Sequence, residues 1–472
     1  MIQIRIIILL AILTLTANNL RGQNTLTLDS TILTKTELVT GIQVPWELKW
    51  GPDDHLWFTQ RNGMIFRTDP NTGNTNEILD YRSVVINEDD EGDGSEYGML
   101  GMCFHPDFEN TPKVYVVYNY DDPIMERLVS FEWDGESLNN EEIILDGIEG
   151  FIYHNGSRLL MTMDEKILMS TGDVTVPQNG QKMDTYNGKY LRINLDGSIP
   201  NDNPFPDSYI YTLGHRNSQG IAYGPEGKLY ISEHGTQVSD EMSILESGGN
   251  YGWANVLGFC DTGFEIDFCD ANNVIEPIFD WSPCVAVSDM EYYNHDAIPE
   301  WKGKMMIAVL GGIGFDKVPR ISFMSFNEDG TEITGEEKFF EDFGRIRDVC
   351  VNPYTGSIYF ATNGPGYPGF GPNQIIEYRN LDYNPVSQII QIASQNLKLS
   401  PNPADEFLSM ESSEELIGSR YEIISFKGVV VTEGLITSTL MNISLTNLER
   451  GAYFIRCNNK KGQLTRTFTI IR

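Results

Sequence analysis

GPEGKLYISEHG, residues 224–235, sets a proline and acidic turn before a short apolar and aromatic run, and turns polar again where such a strand should stop. The phrase recurs as GPDDHLWFTQ (51–60), HPDFENTPKVYVVYN (105–119), MDEKILMSTGD (163–173), IPEWKGKMMIAVLGG (298–312) and NPYTGSIYFATNG (352–364). The copies are spaced by roughly 55 to 75 residues, a period that marks repeat architectures. Each interval has room for one four-stranded blade, and helical periodicity is nowhere sustained. An all-β chain with a six-bladed β-propeller over residues 30–383 is therefore expected. Blades present strand ends and loops around a central channel, which is where chemistry gathers.

Composition narrows the partners. The 472 residues carry a formal net charge of −34, which repels nucleic acid and favours solubility. Converging carboxylates suit calcium, although a solvated acidic surface accounts for most of these charges. Residues 1–23 hold one early cation, Arg5, then an apolar run from Ile6 to Ala17 and a polar exit at Asn18 to Gln23. That is the pattern of a signal peptide, too short to span a bilayer, so an exported, soluble mature protein is expected. Among the six cysteines, Cys260, Cys269 and Cys284 lie close together, and a Cys260–Cys269 bridge is favoured. Cys103 and Cys350 read as small buried residues within strands. The absence of C-x2-C spacing argues against structural zinc.

The longer stretch IYTLGHRNSQGIAYGPEGKLYISEHGTQVSDEMSILESGGNYGWA (210–254) resembles the GHRNPQG, SE(H/Q)GP and DE...GGNYGWP signatures of soluble dehydrogenases dependent on pyrroloquinoline quinone (PQQ), the glucose/sorbosone dehydrogenase family. The resemblance covers about residues 38–380. It implies oxidation of an aldose sugar, with hydride passing to a quinone polarised by Ca2+ and Arg216. His154, in FIYHNGSRLL, is similar to the general base of the family's H-x-G-x-R-L segment; Arg158 is read as structural. Tyr153 stands where the soluble glucose dehydrogenases have aspartate, so glucose-type contacts do not carry over.

Arg345 and Arg347 match the family's R-x-R-D-V pair; alternation along a strand would aim both at one face, suited to a planar tricarboxylate. The competing reading pairs them with Asp342 or Asp348. Arg216 resembles the arginine beside the reactive quinone carbonyl and Asn217 its cofactor-binding neighbour. The resemblance assigns calcium to main-chain carbonyls at Gly235 and Thr236, with Thr236 replacing the usual proline. Glu96 aligns with a substrate-contacting glutamine. The six histidines are too dispersed to argue a zinc or iron site, and joint ligation by His215 and His234 is disfavoured. The family's cofactor lysine aligns with Gly311, where no cation stands, although Lys317 and Arg320 follow. The acidic run NEDDEGDG (87–94) lacks an EF-hand's bidentate glutamate, because Leu100 takes its place, and reads as a solvated loop.

After Tyr383 the pattern changes. Residues 384–396 read as a polar linker, and period-two runs from Leu397 onward describe a β-sandwich of about 75 residues without a catalytic cluster. Its PNP opening, SFKG turn and LTNLERGAYFIRC phrase resemble the C-terminal sorting domain of type IX secretion cargo. That implies engagement of outer-membrane secretion machinery and delivery to the cell surface or beyond. The partners expected are a sugar and an electron acceptor the sequence does not identify. The competing functions are a cofactor-free surface propeller that binds carbohydrate or protein, favoured by Gly311, and a calcium-dependent hydrolase, to which the R-x-R-D-V pair is superfluous.

Overall fold

The computed structural model describes residues 24–86, 95–121, 123–311, 318–364, 373–383, 397–413, 416–425, 430–448, 450–459 and 462–471. The expected signal peptide, the acidic run 87–94, Lys317 and the linker 384–396 lie outside these residues.

The chain is all-β, built mainly from four-stranded antiparallel sheets. Five consecutive sheets each take four successive strands; their first strands are Pro45–Trp50, Met99–Phe104, Gly156–Met161, Ser218–Tyr223 and Val287–Tyr293. A further sheet starts at Ile346–Val351 and continues through Ile358–Thr362 and Asn373–Asn380. It is completed by the N-terminal strand Ile32–Ile42, which pairs antiparallel with Asn373–Asn380 from Leu33 opposite Asn380 to Ile42 opposite Asn373. Each copy of the recurring phrase falls on the turn into the second strand of one of these sheets, such as Leu56–Gln60 or Leu229–Glu233.

The first strands of neighbouring sheets touch in succession, and Ile346–Val351 touches Pro45–Trp50, so the series closes into a ring. Its stability comes from apolar residues sandwiched between successive sheets. Trp57, Met102 and Phe131 fill the first gap, Cys103, Leu159 and Ile193 the second, and Leu168, Tyr190 and Ile231 the third. Met242, Met290 and Met305 fill the next, then Trp301, Phe323 and Phe360, and Leu48, Phe58 and Tyr359 seal the last sheet against the first. Burying side chains of this size contributes about 1.5–3 kcal/mol each.

The Cys260–Cys269 disulfide forms as expected, with its Cα atoms 6.5 Å apart, and the other four cysteines are free and buried. The bridge staples helix α1 (Gly263–Asn272), which has no buried residue and starts at a reciprocal capping box between Thr262 and Glu265. Beyond Leu397, a three-stranded and a four-stranded sheet share one core that includes Leu408, Met410, Ile423, Ile455 and Phe468. Among the described residues, no helix is long and apolar enough to cross a membrane.

Candidate active site

The loops leading into the inner strands bring the expected residues together. His154 occupies the turn just before Gly156–Met161, at φ 59°, a left-handed conformation that costs a non-glycine residue free energy. The turn is held from several sides. Glu96 Oε2 accepts from the His154 backbone N–H at 2.8 Å and from Asn217 Nδ2 at 3.1 Å. Gly172 packs so closely that a Cβ there would lie 1.8 Å from the His154 carbonyl oxygen. His154 Nδ1 meets Asp173 Oδ1 at 2.7 Å. Asp173 is fully buried, and its other oxygen accepts from Trp253 Nε1 at 2.8 Å. A carboxylate only accepts, so the ring donates from Nδ1 and turns the lone pair of Nε2 outward. The two residues after Asp173, Val174 and Thr175, also have positive φ, at 50° and 62°; conformational strain is concentrated around this dyad.

Asp173 and Trp253 are functional candidates that the motif reading missed. Asp173 ends one of the recurring phrases, where an acidic turn residue is unremarkable, and only the fold brings it across to His154.

Arg216 and Asn217 sit just ahead of Ser218–Tyr223. The Arg216 guanidinium is half-buried, lies 5.6 Å from the Trp253 ring and donates from Nη1 to the His234 carbonyl at 3.2 Å. Asn217 is buried, and its amide serves the scaffold: Oδ1 accepts from the Gly156 N–H and from Gln219 Nε2, both at 3.1 Å, while Nδ2 donates to Glu96. Glu96 links this side to the histidine. Burial works against its charge, but His154, His234 and Arg347 outweigh burial and hold its pKa below the ordinary value. Its second oxygen, Oε1, makes no hydrogen bond to the described residues.

The arginine pair departs in detail from simple alternation. The strand begins at Ile346, so Arg345 lies just before it, and a register shift between Ile346 and Asp348 puts Arg347 in a bulge. The two side chains remain near neighbours. Burial, and then the charge of Arg345, push the Arg347 pKa down to about 9, which marks a guanidinium short of anions. Among the described residues its Nε is buried without a hydrogen-bond partner, and Nη1 has only long contacts to Gln219 Oε1 (3.4 Å) and Ser288 Oγ (3.5 Å). The alternative pairing with Asp348 does not occur, because that carboxylate bonds Arg158 at 2.6 Å.

Gly235 and the exposed Thr236 follow Leu229–Glu233 in a turn pinned by Asp240. Asp240 Oδ1 accepts from the Gly235 N–H at 2.8 Å, and Oδ2 accepts from the amides of Val285 and Ala286 at 2.8 and 2.6 Å. A Cβ on Gly235 would lie 2.2 Å from the Val238 carbonyl oxygen, so the turn requires glycine. His215 is unsuited to a shared metal with His234: it is fully buried, with one ring nitrogen on Thr212 Oγ1 and the other on Glu233 Oε2, both at 2.8 Å. Gly311 brings no cation, and Arg320 does not replace one, being buried against Val318, Ser322 and Glu336.

A family model described as glucose/sorbosone dehydrogenase matches residues 42–367, and one described as a secretion system C-terminal sorting domain matches residues 398–471. Quinoprotein glucose dehydrogenase B of Acinetobacter calcoaceticus is 35% identical over 260 residues, 48% of this chain and 53% of that enzyme; the chain thus spans about half of that relative's length. Aldose sugar dehydrogenase YliI of Escherichia coli is 29% identical over 341 residues, covering 68% of this chain and 87% of the relative. The PQQ-bound aldose sugar dehydrogenase of Streptomyces coelicolor superposes with a TM-score of 0.61 at 26% identity, over 74% of this chain and 98% of the other.

Proposed function

Because the chain belongs to the glucose/sorbosone dehydrogenase family, we propose that it is a calcium-dependent quinoprotein that oxidises an aldose sugar on one face of a six-bladed propeller. The observation that carries this reading is the buried Nε of Arg347, which has no hydrogen-bond partner among the described residues, in the same cup as the His154–Asp173 dyad. A buried guanidinium donor left unused suits a carboxylate, and PQQ is a tricarboxylate.

Arg345 and Arg347 would hold the cofactor's carboxylates and Arg216 its polar edge, while the carbonyls of Gly235 and Thr236 would take calcium. When bound, the quinone supplies the two-electron acceptor that protein side chains lack. His154 Nε2 takes the proton of the sugar hydroxyl. Asp173 fixes the tautomer and stabilises the imidazolium as it forms; a positioned base of this kind contributes on the order of 10² to 10⁴ in rate. Asn217 and Glu96 keep the histidine turn in register, and Glu96 Oε1 remains for a sugar hydroxyl. The sorting domain supports export through the outer-membrane secretion machinery to the cell surface or the medium.

Adding PQQ and calcium to the apo-protein should give stoichiometric, saturable binding followed by quinone absorbance. No saturable signal would remove the enzyme reading and leave the second one, a cofactor-free propeller that binds carbohydrate or protein, which the missing cation at Gly311 favours.

A further inference from the structure

Below the cup, the inner strands carry a second cluster of charge that the proposed chemistry does not use. Glu47 and Lys49 lie on Pro45–Trp50, Arg158 on Gly156–Met161, Asp289 and Glu291 on Val287–Tyr293, and Asp348 on Ile346–Val351. Glu47, Arg158, Asp289 and Asp348 are each fully buried, and one oxygen from each of the three carboxylates falls in a group no more than 4.8 Å across.

The cations present do not satisfy them. Arg158 Nη1 bonds Glu47 Oε2 at 2.7 Å and Asp348 Oδ2 at 2.6 Å, while its Nε donates to the Gln219 carbonyl at 2.8 Å and stays 3.4 Å from Asp289. Lys49 Nζ lies 2.6 Å from Glu47 Oε1. Among the described residues, both oxygens of Asp289 and Oδ1 of Asp348 find no hydrogen-bond donor, although they are buried. Four carboxylates, counting Glu291, thus face two cations. A buried carboxylate without compensation is costly, and the cost is relieved either by taking up a proton or by a further positive charge among the group.

We propose that Glu47, Asp289 and Asp348 form a structural site for a divalent cation of calcium type on the axis of the ring, separate from the calcium assigned to Gly235 and Thr236. The donors are oxygens only, with no histidine or thiolate in the group, which suits a hard cation and disfavours zinc. With all four carboxyls ionised, a divalent ion would balance the two surplus negative charges. It would also tie three inner strands together, one of which carries Arg347 next to Asp348, and so brace the arginine from below. The inference stands on the channel geometry and does not need the PQQ reading.

The test is calcium stoichiometry in the full chain without PQQ, after treatment with a chelator and readdition of Ca2+, measured by elemental analysis and by titration calorimetry. Wild type should bind one ion more per chain than Asp289→Asn, and calcium should raise the melting temperature of wild type more than that of the variant. If Asp289→Asn fails to fold, Glu47→Gln takes its place, and an anomalous-scattering map of calcium-soaked wild-type crystals provides a measurement free of mutation. That map should place an ion about 2.3–2.6 Å from oxygens of Asp289 and Asp348. Equal stoichiometry in foldable variants, or no peak between the three carboxylates, overturns the proposal. Failure of the quinone titration would leave this result untouched, and the reverse also holds.

Discussion

His154 is held in a costly backbone conformation by a carboxylate on its amide, a carboxylate on its ring and a glycine against its carbonyl, so the imidazole has little freedom to wander. His154→Ala should therefore lower kcat with an aldose by on the order of 10² or more at saturating PQQ while leaving PQQ affinity unchanged. Asp173→Asn should also lower kcat, because an amide can present a donor to Nδ1 and reverse the tautomer. Arg347→Ala should instead weaken PQQ binding about tenfold or more, with a larger effect at low ionic strength where charge is less screened. Retained turnover in His154→Ala would discard the base assignment even if the cofactor still binds.

A second residue-scale expectation concerns Glu126, buried on Met125–Trp133 beneath the same turn, where its Oε2 accepts from Ser157 Oγ at 2.5 Å. Burial raises its pKa to about 8, against an ordinary value of 4.5, although Ser157 and Asn119 pull the other way. The folded state thus holds this proton more tightly than the unfolded chain. Its contribution to stability is complete below about pH 4.5 and is lost as the pH rises through 8. Urea midpoints should fall across that window in wild type. Glu126→Gln, permanently neutral, should flatten the profile and exceed wild type above pH 8; parallel profiles would mean that the carboxyl is solvated.

At the scale of elements, α1 has no buried side chain, so the capping box and the disulfide are what hold it. Replacing Cys260 and Cys269 with serine should leave global melting within a few degrees but abolish hydrogen-exchange protection over residues 263–272. Loss of the whole transition would show that the staple supports the ring. The repeat phrases made the sheets legible beforehand, because turn residues and a five- to eight-residue apolar run mark one strand wherever they occur. The bulge at Arg347 left no such trace, since two-residue alternation looks the same with or without it. The axial charges were hidden for another reason. Glu47 and Lys49, or Asp289 and Glu291, alternate with apolar residues as on a solvated face, and only ring closure turns that face inward. Asp173 needed the pairing of two loops 19 residues apart in the chain, which no local pattern encodes.

For the whole molecule, the cores of the described residues divide cleanly: the one holding Leu397, Ile423, Ile455 and Phe468 has no member from the ring, and the ring's cores have none from beyond Tyr383. Ending the chain near residue 390 should give a folded protein that binds PQQ as the full chain does yet is no longer delivered to the surface. A truncated protein that loses PQQ binding would contradict the division.

The seam between Ile32–Ile42 and Asn373–Asn380 has a bearing on biogenesis. Its two halves emerge from the ribosome roughly 340 residues apart, on the order of 20–70 s at usual elongation rates. Through that interval the early strand has only the short Thr25–Thr27 beside it, and its other hydrogen-bonding edge is open. Any neighbouring nascent copy offers the same missing partner. Crowded synthesis would therefore favour dimers that have traded N-terminal strands.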